Sequence, residues 1–157
     1  MKKITVLTII LSLALTFGCG ARAQDGSNSS KSDKKEVIHI TYSDFITKVA
    51  NLKASPDEWH YLGDKPAIID FYADWCGYCK KLSPILEELA KEYKGEIYIY
   101  KVNTDIERDI AKAFGIRALP TLLFIPMEGE LQVAQGAIPK EDLKRAIETV
   151  LLVKKNK

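Results

Sequence analysis

The sequence predicts an α/β domain: a central mixed β-sheet with helices on both faces and elements in the order βαβαβαββα. Three observations lead there. Apolar runs of strand length alternate with stretches whose apolar residues recur at helical spacing. The run from Ala67 to Tyr72 is apolar except at Asp70, the pattern of a strand covered on both faces. The last two strands flank Met127-Glu128-Gly129 and read as an antiparallel hairpin. A chain of 157 residues suits one such domain with extensions.

The extension comes first. Met1-Lys2-Lys3 is a positive start, and Ile4 to Phe17 is an apolar segment of about 14 residues, short for a bilayer span. Ala21-Arg22-Ala23 fits the small-x-small site of a signal peptidase, with cleavage before Gln24. Residues 1–23 therefore read as a secretory signal. Gly18-Cys19 offers a second export reading, a lipoprotein signal cleaved before a lipidated Cys19. Thr16 and Phe17 fit that pattern less well than Ala21 and Ala23 fit theirs, so soluble export is preferred. On either reading the body works outside the cytoplasm, in the periplasm, and meets a membrane only through Cys19. Residues 24–35 are rich in Ser, Asp and Lys and bury nothing, so they read as a flexible spacer.

The domain is expected over residues 36–157. Val37 to Thr41 reads as a short strand. Ser43 is a plausible cap for a helix through Phe45, Ile46, Val49 and Leu52. A loop from Ala54 to Asp64 follows, packed down by Trp59, Tyr61 and Leu62. The strand Ala67 to Tyr72 leads into a helix to about Tyr93, which Pro84 should kink. Ile97 to Val102 is the third strand. A turn at Asn103 to Asp105 precedes a helix from Ile106 to Phe114, ended by Gly115. Thr121 to Ile125 and Glu130 to Gln135 form the hairpin. Leu143, Ile147, Val150 and Leu151 mark a closing helix, with Lys144, Arg145 and Lys154 outward.

The charge balance excludes one class of partner. Without Lys2, Lys3 and Arg22, twenty basic side chains face 21 acidic ones, and the net charge of the body is −1. That makes no electrostatic case for nucleic acid.

The chemistry lies in Cys76 and Cys79. A Cys-x-x-Cys pair between a strand and a helix points to a redox dithiol. At a helix N-terminus Cys76 meets unpaired backbone N–H groups and the positive end of the helix dipole, which favour the thiolate. Cys79 lies one turn further on the same face. Cys76 should therefore attack a partner, and Cys79 should resolve the mixed disulfide. Two plainer readings fit less well. Zinc needs four ligands, and the body has no third cysteine and no histidines in ligand spacing, so no metal is expected. A static disulfide closing so short a loop would constrain the unfolded chain little.

These residues stand among others. Asp70-Phe71 lies six residues before Cys76. Trp75-Cys76-Gly77-x-Cys79-Lys80 is followed by Pro84, then by Phe114-Gly115-Ile116-Arg117-x-Leu119-Pro120-Thr121, and by Gly136 before the last helix. Together they make the chain, over about residues 36–157, resemble the thioredoxin family. The resemblance implies the thioredoxin fold and roles for further positions. Pro120 matches the family's cis-proline facing the cysteines; composition alone favours a trans bond. A proline has no N–H, and it leaves Leu119 to pair its backbone with an extended substrate. Asp70 matches the acid proposed to take the proton of the buried cysteine, and Lys101 matches its partner lysine; a structural pair is the plainer alternative. Trp75, Gly77, Tyr78, Leu119, Pro120 and Gly136 make up the implied substrate surface, Gly136 by letting a backbone approach.

Two positions depart from the family pattern. Tyr72 stands where many members have Trp, and Tyr78 where thioredoxin has Pro. The residues between the cysteines adjust the potential, so Tyr78 leaves the direction of electron flow open. The expected function is a thiol–disulfide oxidoreductase that reduces or reshuffles disulfides in exported proteins. It needs no cofactor and acts as a monomer, recharged by a redox partner such as a membrane electron donor. The alternatives are a periplasmic oxidase that donates its disulfide, and a redox-silent binding module.

Overall fold

The structure is a computed structural model that describes residues 36–52 and 59–153. The signal, Cys19, the spacer, part of the loop after the first helix, and Lys154 lie outside the described residues. The elements follow the expected order: β1 (Val37–His39), α1 (Tyr42–Lys48), β2 (Ala67–Tyr72), α2 (Gly77–Glu92), β3 (Tyr98–Asn103), α3 (Arg108–Ala113), β4 (Thr121–Ile125), β5 (Gln132–Gln135) and α4 (Lys140–Ala146). A wider turn over Ile147–Leu151 extends α4, closed by Leu152 N–H donating to the Ile147 carbonyl.

The strands line up as β1-β3-β2-β4-β5. β1 and β2 flank β3 in parallel, while β4 runs antiparallel to β2 and to β5, so the sheet is mixed. Side chains alternate across it. Val37, Ile68, Ile99, Leu122 and Phe124 pack with Leu82, Leu86 and Leu89 of α2 and Leu143 of α4. Ile69, Phe71, Tyr100, Val102 and Leu123 pack on the other face, with Phe45 of α1 and Ile110 of α3. Leu82, Leu86 and Leu89 are wholly buried, each contributing about 1.5–3 kcal/mol by leaving water. The same alternation puts Asp70 on the face that α2 covers, in register with Lys101 of β3, which is in register with His39 of β1.

Several local expectations change. The cap of α1 is Thr41, not Ser43: Thr41 Oγ1 accepts from Asp44 N–H at 3.2 Å, and Asp44 Oδ2 accepts from Thr41 N–H. The acid three residues on makes this a capping box, which Ser43 could not form. α1 ends at Lys48, short of Leu52, and Val49 caps it. Trp59 and Tyr61 do pack on the core, but Leu62 is 43% exposed. α3 starts at Arg108, not Ile106, because the Asn103 carbonyl accepts from both Ile106 and Glu107 and closes a turn there. Its C-terminus is a glycine cap: Ile116 N–H donates to the Ala111 carbonyl and Gly115, at φ +59°, to that of Lys112. β5 starts at Gln132, since Phe124 pairs with Gln132 and leaves residues 126–131 as the turn, with Gly129 at φ +102°. α2 runs through Pro84, whose ring supplies no N–H to the turn before it.

Candidate active site

β2 ends at Tyr72, and three residues bring the chain over to α2. Cys76 N–H donates to the Ala73 carbonyl at 3.1 Å, which fixes that turn. Cys76 is the N-cap of α2, with extended backbone, and its Sγ accepts from Cys79 N–H at 3.1 Å. The side chain thus takes the place that a capping oxygen takes elsewhere. Cys76 and Cys79 form a disulfide, their Cα atoms 5.3 Å apart. Cys76 is 6% exposed and Cys79 1%, so Cys76 is the more accessible of the two. When the bond opens, the helix end and the Cys79 N–H favour the thiolate at Cys76 over one at Cys79.

Ala73 and the two cysteines make a small apolar cluster, with Tyr72 and Leu119 packed against it. Leu119 therefore sits at the disulfide, and the Leu119–Pro120 bond is cis. The loop is held on both sides. Thr121 Oγ1 donates to the Ala118 carbonyl at 2.7 Å, and Gly136 N–H donates to the Pro120 carbonyl at 2.8 Å. Among the described residues no backbone hydrogen bond goes to Leu119. Gly136 has φ +92°, which a side chain would strain, and a Cβ there would meet open space. Beside the cysteines in sequence, Trp75 is 72% and Tyr78 64% exposed, large apolar surfaces facing solvent. Gly77 opens α2 with nothing near the place of its missing Cβ.

Asp70 is wholly buried, and neither of its oxygens accepts a hydrogen bond from the described residues. Lys101 Nζ lies 3.5 Å from Asp70 Oδ2. Burial pushes the Asp70 carboxyl up to about 6, and the Lys101 charge holds it from rising further. Lys101 is itself buried; it donates to Ser83 Oγ and lies 4.4 Å from the centroid of the Tyr72 ring. A recess of about 260 Å³ opens beside them, lined by Cys79, Lys101, Ser83, Tyr72, His39 and Glu87 among others. It leads from solvent to the buried sulfur and to the lysine in front of Asp70.

The ten residues expected from the sequence thus fall into two groups. Cys76, Cys79, Trp75, Gly77, Tyr78, Leu119, Pro120 and Gly136 belong to the disulfide and the loops around it, and Asp70 and Lys101 lie behind it. Four more residues take part in the arrangement. Ser83 and Tyr72 hold Lys101, His39 joins the recess, and Asp105 Oδ2 accepts from Trp75 Nε1 at 2.9 Å. Ser83 and Glu87 follow Cys79 at four-residue steps, a helical stripe that the sequence does display. The Asp105 and His39 contacts have no local pattern. Among the described residues no group of three or more His, Cys, Asp or Glu side chains could hold a metal ion.

The family model for thioredoxin matches residues 36–149, which include all ten expected positions. The chain belongs to the thioredoxin family. It is 49% identical over 111 residues to the thioredoxin of Borreliella burgdorferi, covering 71% of this chain and 94% of that one. It is 45% identical over 126 residues to the chloroplastic M-type thioredoxin of Spinacia oleracea, covering 80% of this chain and 70% of that one. The crystal structure of chloroplastic thioredoxin z superposes with a TM-score of 0.59 over 72% of this chain and 92% of that one, at 24% identity, which speaks for the thioredoxin fold. Thioredoxins are disulfide oxidoreductases, and this thioredoxin-family chain holds the cysteine pair that their chemistry requires.

Proposed function

We propose that this thioredoxin-family protein is exported and reduces or reshuffles disulfide bonds in other exported proteins. One observation supports the reaction above all others. The Cys76–Cys79 pair caps α2, and a wholly buried acid with a pKa near 6 lies on the sheet face beneath that helix. The exported setting rests on the leader read in residues 1–23, and soluble export is preferred to a lipid anchor at Cys19.

The cycle begins with both cysteines reduced. The Cys76 thiolate attacks one sulfur of a partner's disulfide, and the other partner sulfur leaves as a thiolate. The partner's extended chain lies along Leu119 and Gly136, with Pro120 closing the groove and Trp75, Gly77 and Tyr78 beside it. The Cys79 thiol then passes its proton to Asp70, and its sulfur attacks Cys76 Sγ. The bond from Cys76 to the partner breaks, and the partner leaves with the electron pair. The Cys76–Cys79 bond forms, the state of the present structure. Two electrons have passed to the partner. An upstream dithiol, held by a membrane electron donor, returns them.

Equilibration with glutathione tests the direction. A potential near that of the cytosolic reductants, about −270 mV, supports reduction. A potential near about −120 mV overturns it in favour of the oxidase. Tyr78, between the cysteines where thioredoxin has proline, leaves the direction of electron flow open and keeps the oxidase as second reading.

A further inference from the structure

His39 stands at the outer end of a row that the sheet register creates. His39 of β1, Lys101 of β3 and Asp70 of β2 are consecutive partners across parallel strands, so their side chains share the face under α2. Exposure falls along the row. His39 is exposed, Lys101 is 8% exposed and Asp70 is wholly buried. Tyr72 ties His39 to Lys101. Its ring lies under Lys101 Nζ and meets the His39 ring edge-on at 5.9 Å, and its hydroxyl lies 3.3 Å from His39 Nδ1. A hydroxyl both donates and accepts, so this hydrogen bond serves the neutral imidazole and the imidazolium alike.

We propose that His39 is a positioning residue for the proton acceptor: its charge, changing near neutral pH, sets how readily Asp70 gives up its proton. The proposal rests on Asp70 acting as that acceptor. An imidazole ordinarily titrates near 6.5, inside the range where the buried acid does its work. When protonated it adds a positive charge to the recess and favours the Asp70 carboxylate. Asp70 then remains available as a base at lower pH. The other charged side chains that line the recess are Lys101 from β3, Asp74 after β2, and Lys80 and Glu87 from α2. Among these residue types imidazole is the one whose ordinary titration falls between pH 5.5 and 7.5. No atom is consumed in this role. The proton that Asp70 receives from Cys79 is later released to water.

The size follows from the geometry. Two interstrand steps put His39 roughly 10 Å from Asp70. His39 is exposed, so water screens its charge, and a unit charge at that distance moves the Asp70 midpoint by about 0.3 pH unit.

The test is the titration of the Asp70 carboxyl carbon by NMR between pH 4 and 8, in the disulfide form, where neither cysteine titrates. H39N should raise the midpoint by about 0.3 unit, and H39K should hold it at or below that of the wild type. By linkage, D70N should lower the His39 midpoint by the same amount. An unchanged Asp70 midpoint in well-folded H39N, or equal midpoints in H39N and H39K, would overturn the proposal. The rate arm separates it from the reading beneath it. Resolution of a mixed disulfide by H39N should slow by a little under twofold at pH 5.5 and be unchanged at pH 7.5, with H39K restoring it. If the midpoints move and the rates do not, the His39–Asp70 coupling stands, and Asp70 is not the proton acceptor.

Discussion

Lys101 Nζ stands 3.5 Å from Asp70 Oδ2, while its hydrogen bond goes to Ser83 Oγ. The lysine therefore offsets the charge of the buried acid without closing a bonded pair. Each alternative would spoil the proposed role of Asp70 as proton acceptor. A tightly bonded carboxylate would fall below its ordinary pKa and hold no proton. An acid with no lysine near it would stay protonated at neutral pH and accept none. Burial on one side and a lysine held back on the other leave Asp70 near 6, where it can both take and release a proton.

That balance costs stability near neutral pH. The carboxyl titrates at about 6 in the folded chain against an ordinary 3.8. Its protonated form favours the fold fully below about pH 4, and this is lost as pH rises through 6. Asp70→Asn removes the cost. The disulfide-bonded variant should be more stable at pH 7 by about 2–3 kcal/mol, with the gain gone below about pH 4. Urea unfolding at a series of pH values measures both. A gain that does not depend on pH would mean that burial of the charge is not its source.

Ser83→Ala tests the held-back lysine. With Ser83 Oγ gone, Lys101 Nζ has Asp70 as its nearest acceptor. The Asp70 midpoint should fall from about 6 toward the ordinary carboxylate range, by up to about one unit. Lys101→Met should move it the other way, above 6, because only burial then acts. Carbon-detected NMR reads both shifts. Two shifts in the same direction would refute the account of the pair.

The capping box of α1 predicts an asymmetry between neighbours. Thr41→Ala should cost about 1 kcal/mol, since it removes the acceptor of the Asp44 N–H. Ser43→Ala, inside the first turn, should stay within about 0.5 kcal/mol. Thermal unfolding of the two variants decides it. Equal losses would mean that the box contributes nothing.

The same two residues show where reading the sequence stops. Both Thr41 and Ser43 suit an N-cap by type, and the choice turns on Asp44, three residues after Thr41. The deciding signal is that spacing, and residue type alone does not separate the two. The sheet and the cysteine–helix unit were legible because they rest on periodicity and on neighbours in sequence. Asp70 stood out as a lone charge in an apolar run, with burial as the consequence. Contacts from distant elements were not legible. Lys101 with Ser83, Trp75 with Asp105 and His39 with Tyr72 join residues 18, 30 and 33 apart in the chain. No local pattern encodes such pairs, since each depends on strand register and on where a helix lies over the sheet. The family resemblance marked Lys101 but not what holds it.

The order of the two sulfurs can be tested directly. Cys76 is the more exposed and its Sγ accepts from the Cys79 N–H, and Cys79 lines the recess. Cys79→Ser should therefore stop the reaction at a mixed disulfide on Cys76, because an alcohol at position 79 is too weak an acid to resolve it. Cys76→Ser should trap little, since the remaining thiol is 1% exposed. In Asp70→Asn the mixed disulfide should form at the normal rate and resolve about tenfold or more slowly near pH 7, with the difference shrinking as pH rises and hydroxide takes the thiol proton. Quenched-flow trapping followed by mass spectrometry separates the two steps. Partners caught only through Cys79 would reverse the assignment of nucleophile. Equal resolution rates in Asp70→Asn and the wild type would leave Asp70 and Lys101 as a structural pair.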